Sequence, residues 1–161
     1  MSHELPVTSS PSTAEDSFHA LVVDSNAVHC KVMCKLLQRL GCADAATAAT
    51  PDEAISLLRS AELKRPHVIF MSVSLSPSPE KVYDAARKMR SGLMGREFDW
   101  LASVPIVALG HPNVHLCEQR CSRAGMDDFI TKPLRLWDLV CVVRKWCFGE
   151  DVAALALEAA G

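Results

Sequence analysis

The stretch VIFMSVSLSPSPE, residues 68–80, changes character in its middle. Val68, Ile69, Phe70 and Met71 form an unbroken apolar run of the length of a strand buried on both faces. After it, Ser74, Ser76, Pro77, Ser78 and Pro79 read as loop. Ser72 stands at the join. Strands buried on both faces belong to parallel sheets covered by helices, and ligands of such sheets bind at the carboxyl ends of the strands. The stretch therefore sets two expectations: a covered parallel sheet, and a strand-end position held by a serine.

Outward from there the pattern recurs. HALVVDSNA (19–27) holds a short buried strand over 20–23 that ends at Asp24. Asn26 can cap the helix AVHCKVMCKLLQRLG, where Val28, Val32, Leu36 and Leu40 recur at helical spacing beside Met33 and Leu37. Gly41 stops it. CADAATAAT (42–50) is a weak second strand. Thr50, Pro51 and Glu53 make a capping box with proline in the first turn, heading a helix over 51–63 that buries Ala54, Leu57 and Leu58. SPEKVYDAARKMR (78–90) is a third helix, and a polar loop follows it. VPIVALG (104–110) is a fourth strand and NVHLCEQRCSRAG (113–125) a fourth helix. DDFITKP (127–133) is a short fifth strand and LRLWDLVCVVRKWCF (134–148) a fifth helix. Such alternation implies an α/β architecture, a five-stranded parallel sheet with helices on both faces.

Composition narrows the function. The chain has 161 residues, 49% of them apolar, enough for one domain with a real core. Charged residues make up 22% and the net charge is -2, so no basic field invites nucleic acid. No apolar run has the length to span a bilayer, and the start MSHELPVTSSPSTAEDS lacks the apolar centre of a signal peptide. Cytoplasm or nucleus is the expected compartment. Residues 1–17 are expected to be a disordered polar tail, 18–148 the domain, and 149–161 a C-terminal tail that could form a turn of helix. The cysteines number seven, without a CxxC, which argues against a disulfide framework or a zinc knuckle.

The segments LVVDSNAVHCKVMCKLLQRLG, PHVIFMSV, VPIVALG and above all AGMDDFITKPL resemble the receiver domain of two-component response regulators and hybrid histidine kinases, over roughly residues 18–148. The resemblance implies a flavodoxin-like fold, with strand order 2-1-3-4-5 and a site at the strand tips. An active receiver has two adjacent acids after the first strand, which hold Mg²⁺ through hard oxygen ligands. An aspartate ending the third strand accepts the phosphoryl group. A Thr or Ser ends the fourth strand and a lysine the fifth.

By that resemblance the acid pair falls on Asp24 and Ser25, the phosphoacceptor on Ser72, the switch hydroxyl on Gly110, the lysine on Lys132 and the aromatic switch position on Phe129. A serine is a weak nucleophile without an activating base, and one carboxylate makes a poor magnesium site. The expectation is a degenerate pseudo-receiver without phosphoryl chemistry: no enzyme, no catalytic residue, no metal and no cofactor. Asp24 and Lys132 are expected to be structural partners, because a buried ammonium without a counter-ion is costly. Ser72 and Ser25 are expected to donate hydrogen bonds into the vacated pocket.

The expected function is a phosphorylation-independent interaction module in a phosphorelay. Its partner would be a histidine kinase, a phosphotransfer protein or another receiver, with no nucleic acid and no membrane; a homodimer is left open. In the last helix, Leu136, Leu139, Val140 and Val143 form the core stripe. Trp137, Cys141 and Phe148 lie on a second stripe, a partner face unless Val152, Leu155 and Leu157 of the tail fold over it. Two other classes stay open. One is a working receiver with altered site chemistry. The other is a thiol-based redox or metal sensor built on Cys30 and Cys34, or on Cys117 and Cys121, near His29, His111 and His115. Against the sensor, cysteine packs readily as a small apolar residue. Ser10, Ser76 and Ser78, each followed by proline, fit proline-directed phosphorylation or plain turns.

Overall fold

The computed structural model describes residues 17–73, 79–111 and 115–150. The N-terminal tail, the serines at 10, 76 and 78, the side chains of His115 and Cys117, and the apolar residues of the C-terminal tail lie outside the described residues. Along the chain run β1 (Phe18–Val23), α1 (Ala27–Arg39), β2 (Cys42–Ala48), α2 (Pro51–Arg59) and β3 (Val68–Ser72). Then come α3 (Glu80–Ser91), β4 (Ile106–Gly110), α4 (His115–Arg123), β5 (Asp128–Thr131) and α5 (Leu136–Phe148). The strands form one sheet of order β2-β1-β3-β4-β5, and every adjacent pair is parallel. This is the flavodoxin-like receiver arrangement that the resemblance implies.

The period of two along each strand divides the core. Leu21, Val23, Ile69, Met71, Ile106 and Ala108 face α2, α3 and α4. Ala20, Val22, Val68, Phe70, Val107, Leu109 and Ile130 face α1 and α5. Each large apolar side chain buried this way contributes about 1.5–3 kcal/mol. Both faces are covered, which is why β1, β3 and β4 read as continuous apolar runs.

Local signals place the helix starts. Asn26 caps α1, its side chain accepting from the backbone N–H groups of Val28 and His29 at 3.0 and 3.2 Å. At α2, Thr50 Oγ1 accepts from Glu53 N–H at 3.1 Å, while Glu53 reaches one residue beyond the cap and accepts from Ala49 N–H at 3.0 Å. That helix ends at Arg59, short of the expected residue 63, because Ser60 turns extended. Leu57 is half-buried there, while Ala54 and Leu58 are buried.

Three expectations change. The stripe that begins at Val28 and Val32 does not face the sheet: these two are exposed, and Cys30, Met33 and Leu37 are the buried residues of α1. In α5, Leu136 is exposed and Val140 half-buried, while Val142 joins Leu139 and Val143 in the core. The loop after α3 is not simply polar. It contains a 3₁₀ helix, Arg96–Ser103, that buries Leu101 and packs Phe98 and Trp100 against the core. Arg59 and Arg65 lie over the Phe98 and Trp100 rings at 5.3 and 4.9 Å, covering their outer sides.

Arg90 of α3 ties this helix to the rest of the sheet. Its guanidinium donates to the carbonyls of Leu101, Ala102 and Val104 at 3.1, 2.9 and 2.7 Å and to Gly125 O at 2.7 Å, and it pairs with the Asp127 carboxylate. Asp127 also accepts from Ile106 N–H at 2.8 Å, which anchors the start of β4. Gly125 has φ +94°, and a Cβ there would stand 2.6 Å from Arg90 Cγ, so both backbone and packing exclude a side chain.

Candidate functional site

The carboxyl ends of the central strands lie level. Val23 pairs with Met71, Ser72 with Leu109, and Gly110 with Thr131. Residues at these ends therefore meet along one edge of the sheet. Asp24 follows β1, its N–H donating to Ala48 O at 3.0 Å. At 7% exposure it is the buried charged residue among the described residues. Its Oδ1 accepts from Asn26 N–H at 2.9 Å. Lys132 extends the β5 ladder by one residue, its N–H donating to Gly110 O at 2.7 Å, and is joined to Pro133 by a cis peptide.

Lys132 Nζ closes the arrangement. It donates to Ser72 Oγ at 2.8 Å and stands 3.5 Å from Asp24 Oδ2. The tighter of the two contacts therefore goes to the serine, which accepts here where it was expected to donate, because an ammonium has only donors to offer it. His29 Nδ1 is also 3.5 Å from Asp24 Oδ2. The structure thus brings Asp24, Ser72 and Lys132 together and leaves Ser25 out. Ser25 is exposed and forms no hydrogen bond among the described residues, against the expectation that it would point inward. The cause is local: the Asn26 N–H bond to Asp24 Oδ1 closes a tight turn that swings the intervening residue to solvent.

Gly110 and Phe129 form the second part of the site. Gly110 is buried, and its φ lies outside the left-handed region, so the backbone would accept any residue. Space would not. A Cβ on Gly110 would lie 2.8 Å from Phe129 Cζ and 3.2 Å from Cε2, well inside the contact distance of about 3.5–4.0 Å between carbons. The Phe129 ring sits where the side chain of residue 110 would begin, packed against the core.

The donor set does not fit a magnesium ion. Such an ion needs near-octahedral oxygen ligation built on carboxylates. Here a single carboxylate, Asp24, stands beside Ser72 and Lys132, and its oxygens already face Asn26 N–H and the lysine. Among the described residues no group of three or more His, Cys, Asp or Glu could hold a metal ion.

Five of the thiols are poorly suited to redox or metal chemistry, which runs through the thiolate. Burial raises the pKa of Cys30, Cys34, Cys42 and Cys141, Asp24 adding to the effect at Cys30. Burial pushes Cys147 up to about 12. Cys30 and Cys42 serve as donors instead, to Asp24 O at 3.3 Å and Asp44 O at 3.4 Å.

The second stripe of α5 divides. Trp137 is 46% exposed, Cys141 is half-buried, and Phe148 packs edge-on against Phe18 with ring centroids 5.9 Å apart. The exposed Val28 and Val32 of α1 were not expected as surface. Their signal was present in the sequence, since Lys31, Lys35 and Arg39 interleave with them at helical spacing. No helix among the described residues is long and apolar enough to cross a membrane.

No protein-family model matches the chain. A curated relative, hybrid signal transduction histidine kinase L of Dictyostelium discoideum, is 26% identical over 129 residues, 78% of this chain. The chain spans 7% of the length of that relative. Among solved structures, the receiver domain of a Pseudomonas aeruginosa sensor histidine kinase, with magnesium in its active-site cleft, is 26% identical with TM-score 0.64. That match covers 81% of this chain and 97% of the other. A Saccharomyces cerevisiae structure, the phosphotransfer protein Ypd1 with the receiver domain of the response regulator Ssk1, matches at 22% identity and TM-score 0.63, over 81% and 89% of the two chains. Strand order, strand-tip geometry and these likenesses agree: the chain carries the receiver fold found in response regulators and hybrid histidine kinases.

Proposed function

We propose that this chain is a pseudo-receiver, a signalling module of the two-component type that works by binding a protein partner and not by accepting a phosphoryl group. The observation that carries the reading is the group at the strand tips. Lys132 is bonded to Ser72 at 2.8 Å and faces Asp24, with no second acid bonded to it among the described residues. A hydroxyl that accepts from an ammonium has no base to take its proton from that side. The packing of Phe129 against Gly110 supports the same reading. A full two-state switch needs roughly 5.5 kcal/mol of differential binding, and Ser72 and Gly110 supply neither the carboxylate that would carry an acyl phosphate nor a switch hydroxyl. The module holds one state and is not an enzyme.

The partner is a phosphotransfer protein, a histidine kinase or another receiver. The likeness to a receiver crystallised with a phosphotransfer protein favours the first. The surfaces open to it are α1, with Val28 and Val32 exposed beside Lys31, Lys35 and Arg39, and the start of α5, with Leu136 and Trp137 exposed. Isolated exposed apolar residues are ordinary, but paired valines on a helix without acidic residues form a contact strip. The test has two arms. Acetyl phosphate and a phosphorylated phosphotransfer protein should leave no base-labile phosphate on the chain; a stoichiometric acyl phosphate overturns the reading. A pull-down with receiver-binding proteins should be indifferent to phosphodonor and weakened by Trp137→Ala or Val28→Asp. Capture that requires the donor would sink it.

A further inference from the structure

A groove of about 460 Å³ runs between α1 and the β5–α5 junction. Val22, Val32, Met33, Leu109, Pro133 and Leu134 give it an apolar lining, and Asp24, His29, His111 and Lys132 are its polar groups. That size, an apolar wall and a few polar groups are the attributes of small-molecule sites.

The polar groups are not balanced. Asp24 is committed, with Asn26 N–H on Oδ1 and with Lys132 and His29 facing Oδ2. A lysine ammonium has three N–H donors. Ser72 and Asp24 take two of those of Lys132, and the third has no partner among the described residues. His29 turns Nδ1 to Asp24, and its Nε2 has no hydrogen-bond partner among the described residues. His111 is exposed. The groove thus offers donors and no free acceptor carboxylate.

We propose that this groove binds a small organic monoanion, a carboxylate carried on an aliphatic or aryl body. The head takes the third N–H of Lys132, and the body lies on Val32, Met33 and Leu134. An amine would meet the ammonium of Lys132 and find Asp24 already paired. A compact polyanion would gain nothing from the apolar wall. This proposal goes beyond the pseudo-receiver reading: it shares the Lys132 contacts with that reading and adds the apolar groove beside them.

The test uses the full chain, labelled for amide NMR, titrated with sodium hexanoate and, at the same concentrations, with 1-hexanol and hexylamine. Hexanoate should give saturable shifts centred on Val22, His29, Val32, Leu109 and Leu134, with the alcohol and the amine at least about fivefold weaker. Lys132→Gln should weaken hexanoate about tenfold and bring it level with hexanol, as expected when a charge-assisted bond is lost. Val32→Glu changes a surface position, so it keeps the fold and should abolish hexanoate binding by placing a like charge on the wall. Shifts that do not saturate, equal binding of hexanol, or wild-type affinity in Val32→Glu overturn the proposal. An acyl phosphate on the chain alongside normal hexanoate binding would overturn only the pseudo-receiver reading, and the converse result only this one.

Discussion

Gly110→Ala is the most incisive single change in this protein. Alanine normally stabilises a strand position held by glycine when the backbone is compatible, by about 0.4–1 kcal/mol, because the unfolded chain has less freedom to lose. The backbone at Gly110 is compatible. Yet the new methyl would start 2.8 Å from Phe129 Cζ. Relief needs a shift of roughly 0.7 Å or more by a ring packed against the core, and overpacking of this kind costs about 1–3 kcal/mol. The net expectation is a loss of about 1–2 kcal/mol. In a Phe129→Ala background the clash is gone, so Gly110→Ala should there be neutral or stabilising. Urea melts of the wild type, both single variants and the double variant measure the coupling, expected to be about 1–3 kcal/mol. If Gly110→Ala stabilises the wild type, or the coupling is below about 0.5 kcal/mol, the ring does not occupy that space and the single-state argument fails.

Other outcomes follow from the same geometry. Lys132→Ala should cost about 1–2 kcal/mol by leaving the buried Asp24 short of a partner, and the double variant Asp24→Leu with Lys132→Met should recover most of it; a Lys132→Ala protein as stable as wild type refutes the pairing. Arg90→Met should cost about 3 kcal/mol in denaturant melts, and Arg90→Lys should recover less than half, because an ammonium cannot match the fork that serves the carbonyls of Leu101, Ala102, Val104 and Gly125. His19 is held below the ordinary histidine value of 6.5 by burial, then by His67 and Lys64, with Asp44 opposing. Its folded form binds fewer protons than its unfolded form, so its stabilising contribution is whole above pH 6.5 and is lost as pH falls through the folded value. His67 Nδ1 accepts from His19 N–H at 2.9 Å. Melting temperature should therefore drop on acidification, less steeply in His19→Gln; an identical slope in the variant would show that His19 is not responsible. Cys147, raised to about 12, should resist alkylation at neutral pH until the chain unfolds, as thiol counting with and without denaturant would reveal.

What could be read from the sequence was whatever depends on near neighbours. The buried runs at 20–23, 68–71 and 106–109 declare strands covered on both faces, because no polar residue alternates with the apolar ones. Asn26 and the Thr50–Glu53 pair declare helix starts, because a cap bonds within a few residues. Asp24, Ser72, Gly110 and Lys132 could be placed at strand ends for the same reason, while the expectation that these ends share one site came from the resemblance to receivers. The rotation of a helix about its axis is another matter. In α1, Val28 and Val32 compete with Met33 and Leu37 for the core, and both sets keep helical spacing. Only the sheet beneath decides between them, as it decides between Leu136 and Val142 in α5. The same holds for contacts between distant residues. Arg90 finds its acceptors on the 3₁₀ helix and beyond α4, Lys132 finds Ser72 across the sheet edge, and Phe129 finds room because residue 110 has no side chain. No local pattern encodes these, because each depends on how closely two segments approach after the chain has folded.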